Sequence, residues 1–427
     1  MQNIKINYQI ITLIILVLSM FRGVVSILIG DFIETKYIYH TISSVFMLYA
    51  AFWIFQKYRS VLPRQLNTLL NLNLLAYTFW LITDLILFTG NIVYFFTYAI
   101  FPFFIIPFCR VDRETYIKVF YIISFFISCT VIFDYLLINT RVYADGYEIR
   151  ETLRHLLTSD SHSPTHTNDL YRAVGIIGEE HEAASLLVMM SAFLYSVKSS
   201  VFHPIFQSLC LILVWISLLL TYSAANIIVG LVSIMIITVY KIQKRPVKYL
   251  GIGMMIIAML VLSISYNLFQ INDIIQPFLT RLDNDEAWKV ILSQRININI
   301  FDEFLALIVG HVKGFGISEF GLISEVGLVR ILYNSSIFIF LFTALICIYP
   351  IFMYAKVDSV VKTYMFPYIV TIYSGLLTLA HYGTLFRSTN IILFFSIYGV
   401  LVNLYLSSKS VTNSSQLLTS KSGKNTT

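Results

Sequence analysis

The sequence predicts an all-α, polytopic integral membrane protein with about twelve transmembrane helices and two large loops on one face. Three observations predict it. The 427 residues are 58% hydrophobic and only 12% charged, with a mean hydropathy of +0.78, whereas soluble domains carry about 25% charge. Apolar runs of about 18 or more residues recur from end to end, close to the length that crosses a bilayer as a helix. The runs are continuous rather than alternating, which excludes an outer-membrane type β-barrel.

In chain order the expected spans are 10–30, 37–56, 66–88, 91–109, 116–138, 183–198, 204–221, 224–240, 249–270, 334–355, 363–381 and 388–406. The first follows Lys5, is too long for a secretory signal core and lacks a small-residue cleavage site, so it is read as retained. Cys109, Cys129, Cys210 and Cys347 are scattered through apolar runs, with no metal-ligand spacing and no expected disulfide. The membrane domain therefore covers 1–406, and the Ser-, Thr-, Asn- and Lys-rich segment 407–427 reads as a disordered cytoplasmic tail.

Orientation follows from Lys and Arg in the short loops. With both termini inside, basic turns such as KIQKRPVK (241–248) face the cytoplasm, and most acids fall on the other side. The long hydrophilic segments, 139–182 and 271–333, are then both outer. Long loops in a compact protein are functional or disordered, and two on one face point to a site assembled there. No basic cluster has the form of a nucleic-acid footprint, so nucleic acid is not an expected partner.

The first loop carries Arg141, Arg150, Arg154 and Arg172, and it ends in YRAVGIIGEEHEAA (171–184). Three carboxylates in a first helical turn suit the helix dipole, which is the plain structural account. The functional reading is a polar site at the membrane surface. There Arg172 grips an anion, and Glu179, Glu180 or His181 moves a proton. The second loop holds Arg281, Lys289, Arg295, Lys313 and Arg330, with GHVKGFG (310–316) and ISEVGLVRILYN (323–334). Arg22 sits in the middle of the first span and calls for a partner or a polar cavity.

These patches together resemble the O-antigen polymerase (Wzy) family, within the wider O-antigen ligase and polymerase superfamily. That family often shows an Arg, a Gly three residues on, a Glu-Pro pair and a small residue entering the next span. Arg172, Gly175, Glu179 and Ala184 fit, with Glu180 in place of the Pro. Arg281 and Arg295 match the family's spaced loop arginines, and Gly314 and Gly316 match its glycines. Glu325, Gly327 and Arg330 match the element that closes the second loop. The family's Thr-x-Ser-Arg turn is kept as Thr221 and Ser223, with Ala224 where Arg would stand.

The resemblance implies a metal-independent glycosyltransferase without a cofactor. Its substrate would be an oligosaccharide repeat unit on polyprenyl pyrophosphate, polymerised at the outer face of the bacterial plasma membrane. Implied partners are membrane lipid, a chain-length regulator and a flippase. Arg172, Arg281, Arg295 and Arg330 would bind the pyrophosphate, and Glu179, His181 or Glu325 would act on the acceptor hydroxyl. An O-antigen ligase shares the chemistry but usually carries a His before the span that closes the second loop. EVGLVRILYN has none there. A flippase for the same lipid-linked units is the rival of another class.

Overall fold

A computed structural model describes residues 8–21, 45–46, 48–52, 62–87, 99–139, 166–167, 170–171, 173–177, 180–244, 337–379 and 388–422. Its helices are α1 (Tyr8–Met20), α2 (Arg64–Leu87), α3 (Ile105–Phe108), α4 (Arg113–Asn139), α5 (Glu180–Ser196), α6 (Pro204–Leu220), α7 (Ala224–Lys244), α8 (Ile337–Ala355), α9 (Ser359–Thr378) and α10 (Ser388–Ser422). A 3-10 turn, Phe101–Phe104, leads into α3, and another covers Gly175–Ile177. The two-residue strands His166–Thr167 (β1) and Leu170–Tyr171 (β2) pair antiparallel, His166 opposite Tyr171. Among the described residues the expected helical architecture holds, apart from that short pair.

Five helical stretches are long and apolar enough to cross a membrane: Arg113–Leu136, Ala225–Gln243, Ile337–Ala355, Ser359–Thr378 and Thr389–Lys409. Their outer faces carry exposed apolar side chains such as Phe133, Met235 and Phe352. A lipid environment accepts such faces without cost.

Local sequence explains the boundaries. Asp112 starts α4: its Oδ2 accepts from the Thr115 amide at 2.9 Å and from Thr115 Oγ1 at 2.8 Å. His203 starts α6, its Nδ1 accepting from the Ile205 amide at 3.3 Å, and Pro204 fills a position that needs no N–H. Pro102 and Pro107 interrupt the expected span 91–109 with a 3-10 turn and a short helix. Pro350 lies inside α8 and cannot donate to the Ile346 carbonyl four residues back. The Tyr398 hydroxyl of α10 donates to that carbonyl at 2.8 Å instead, which is how helical membrane proteins tolerate internal proline.

One expectation needs correction. The last helix does not end near Ser407; it runs to Ser422. Residues 407–422 contain neither Pro nor Gly, and Gly423 is the first breaker. Extending a formed helix costs far less than nucleating one, so polar composition alone does not stop it.

Helix α5 is the centre of the bundle. Every residue from Ala183 to Phe193 has zero exposure. Helices α6, α7 and α9 pack most closely on it, and α4 and α10 complete the enclosure. Phe120 and Phe193 lie 4.1 Å apart between ring centroids, and Phe193 meets Tyr368 edge-on at 5.4 Å. The hydroxyls of Ser233 and Ser374 join α7 to α9 at 2.7 Å.

Candidate functional site

The helices alternate in direction, so the bundle has two ends of different chemistry. At one end Arg113 Nε donates to the Tyr368 hydroxyl at 3.3 Å, and the Ser200 hydroxyl donates to Glu114 at 2.8 Å. Asn403 donates to the Val111 carbonyl at 3.2 Å, and Lys241 bonds the Tyr195 carbonyl. Every Lys and Arg of the described residues lies at or beyond this end: Arg64, Arg110, Arg113, Lys118, Lys198, Lys241, Lys244, Lys356, Lys362 and Lys409 within about two helical turns of it, and Lys421 further along α10. Several stack on aromatic rings, among them Lys241 over Tyr195 at 4.0 Å and Lys409 over Tyr405 at 5.0 Å. Asp112 belongs here too. Bonds from Thr115, its backbone amide first and its hydroxyl second, hold the Asp112 carboxyl below the usual carboxylate range.

The opposite end carries acids and neutral polar groups: Asp84 in the last turn of α2, Asp134 near the end of α4, and Glu180, His181 and Glu182 in the first turn of α5. Here the end of the first long segment is fixed in place. Asp134 Oδ2 accepts from the backbone amides of Val174 at 2.7 Å and Gly175 at 3.1 Å. The Ala173 amide donates to the Leu220 carbonyl at the end of α6, at 3.0 Å. Gly175 adopts φ +58°, and a Cβ there would lie 2.9 Å from Thr130 Oγ1, Val131 Cγ2 and the Val131 amide nitrogen. Only glycine accepts both the backbone sign and the closeness to α4.

Next to this clasp stands the turn between α6 and α7, where Thr221, Ser223 and Asn226 are buried. Asn226 Nδ2 donates to Ser223 Oγ at 2.9 Å. Tyr222 takes φ 49°, and its hydroxyl lies 3.4 Å from that of Tyr135 on α4. From a third direction, buried Asn390 at the start of α10 donates to the Glu182 carbonyl at 3.1 Å. Glu182 is itself buried, and His181 is half-buried.

Of the residues singled out from the sequence, His181 is described and sits in the first turn of α5. Arg22, Arg172, Glu179, Arg281, Arg295, Glu325 and Arg330 lie outside the described residues. The bond from Ala173 to Leu220 places the end of the first long segment against the residue that precedes the turn with Thr221 and Ser223. Sequence reasoning assigned no site role to Asp134, Asn226 or Asn390. The available signal was an Asp or Asn within about two turns of the end of each apolar run. Among the described residues no group of three His, Cys, Asp or Glu side chains is placed to hold a metal ion. No family model matches the chain, and no curated protein matches it.

Proposed function

We propose that this protein is a polysaccharide polymerase of the bacterial plasma membrane. It joins repeat units carried on polyprenyl pyrophosphate at the outer face, using about twelve spans and two outer loops. The reading rests on the sequence patches quoted above. The structural observation that supports it most is the meeting of residues 173–175 with Asp134 and Leu220, and of Glu182 with Asn390, at the cation-free end of the described bundle. By the positive-inside tendency that end faces outward, where lipid-linked glycans are polymerised. Both termini are then cytoplasmic.

In the proposed reaction the acceptor hydroxyl oxygen attacks the anomeric carbon of the growing chain. The bond from that carbon to the pyrophosphate oxygen breaks, and polyprenyl pyrophosphate leaves as a stable anion. The hydroxyl proton goes to Glu179, with His181 and Glu325 as the next candidates. Arg172, Arg281, Arg295 and Arg330 match developing phosphate charge with bidentate guanidinium donors.

The test is a glycan ladder from a deletion strain, complemented with the native gene or with Arg172→Ala. The native gene restores long chains, and Arg172→Ala leaves single repeat units at equal protein level. A normal ladder with Arg172→Ala refutes the site. Long chains stranded on the carrier lipid in the deletion strain indicate a ligase. Units that never reach the outer face indicate a flippase.

A further inference from the structure

We infer that Asp134 is a positioning residue for this site: its side chain fixes Val174 and Gly175, which stand in the chain between Arg172 and the stretch Glu179 to His181. The inference rests on the proposed polymerase reading.

The bundle does not need this carboxylate to hold together. Helices α4, α5 and α6 meet through apolar contacts and through the Ser217 hydroxyl, which donates to the Ser128 carbonyl at 3.0 Å. Asp134 is 9% exposed, so its side-chain oxygens must find partners within the protein. Its Oδ2 takes two consecutive amides. Both amides belong to Val174 and Gly175, the second and third residues after Arg172 in the chain. The neighbouring bond from Ala173 to Leu220 ties the same three residues to α6. Three consecutive amides are thus held by two helices, and three residues separate Gly175 from Glu179. A group that stabilises charge in a transition state acts only if its position is set beforehand. Of the described residues, Asp134 does this for the first loop.

The experiment compares Asp134→Ala and Asp134→Asn in the full-length protein. Asn keeps an oxygen able to accept both amides; Ala does not. Backbone hydrogen exchange across 173–177 is measured in nanodiscs. Polymer formation is measured in membranes supplied with lipid-linked units extracted from the deletion strain. Asp134→Ala is expected to speed exchange at Val174 and Gly175 by about tenfold or more, and to lower kcat by a similar factor with KM within about twofold. Asp134→Asn is expected to restore most of both. Unchanged exchange or unchanged kcat in Asp134→Ala overturns the inference. So does an Asp134→Asn protein as impaired as Asp134→Ala. A normal ladder with Arg172→Ala refutes the polymerase site instead, and the exchange result then stands for the clasp alone.

Discussion

Replacing Gly175 by Ala should release the loop from α4 without unfolding the bundle. The residue adopts φ +58°, a region that costs an L-residue roughly 1–2 kcal/mol. The new Cβ would meet Thr130 Oγ1, Val131 Cγ2 and the Val131 nitrogen, each at 2.9 Å. The last is helix backbone and cannot rotate away. Relief requires the loop to lift by about half an ångström, since ordinary carbon contacts begin near 3.5 Å. That lift stretches the bond from the Gly175 amide to Asp134, already 3.1 Å long, past useful geometry. A lost bond to a charged group adds about 1.5 kcal/mol. The sum is about 3 kcal/mol, or roughly a hundredfold shift toward the undocked loop. Protease cleavage within 173–177 reads that population when opening is fast, so the cleavage rate of Gly175→Ala should rise toward a hundredfold above wild type. Gly230→Ala is the control. There the nearest atoms are the ends of flexible side chains, Leu218 Cδ2 at 3.1 Å and Trp215 Cη2 at 3.2 Å. A cleavage rate within twofold of wild type for Gly175→Ala would refute the clasp geometry.

Gly399→Ala should destabilise the whole bundle by about 3 kcal/mol or more, because its Cβ would lie 2.5 Å from Phe108 Cβ and 2.8 Å from the Ile105 carbonyl oxygen; a thermal melt in detergent checks it. Tyr398→Phe should cost about 1–2 kcal/mol by stranding the Ile346 carbonyl. In a Pro350→Ala background the cost should shrink, because the restored amide satisfies that carbonyl, and a double-mutant cycle measures the difference. Asp112 has a depressed folded pKa, so its stabilisation is full above its unfolded value of about 3.9. That contribution is lost as pH falls through the lower folded value. Asp112 is largely exposed, so the effect should stay below about 1 kcal/mol. Unfolding midpoints in acid should show a smaller pH dependence for Asp112→Asn.

Hydropathy located the described helices closely because continuous apolar runs favour helices that satisfy their own backbone. The expected 204–221 and 224–240 appear as Pro204–Leu220 and Ala224–Lys244, with the turn at Thr221 to Ser223. The interruption at Phe101–Phe104 escaped, since averaging over an apolar window hides two prolines among phenylalanines. The tail escaped for the opposite reason: composition reports the cost of exposure, while a helix already formed propagates through polar residues. His181 was legible as part of a charged helix start. The bonds that organise its surroundings were not. Asp134 reaches Val174 across 40 positions and Asn390 reaches Glu182 across 208. A single sequence carries no register between helices so far apart.

The 17 residues of α5 span about 26 Å, short of the roughly 30 Å of hydrocarbon. Since protein surrounds the helix on every side, it is exempt from hydrophobic matching, and its acidic mouth can lie sunken beneath the phosphate plane. Changing acyl-chain length would press on the peripheral helices while α5 stays put. Bilayer thickness thereby becomes a dial for how far the acidic mouth lies below the membrane surface.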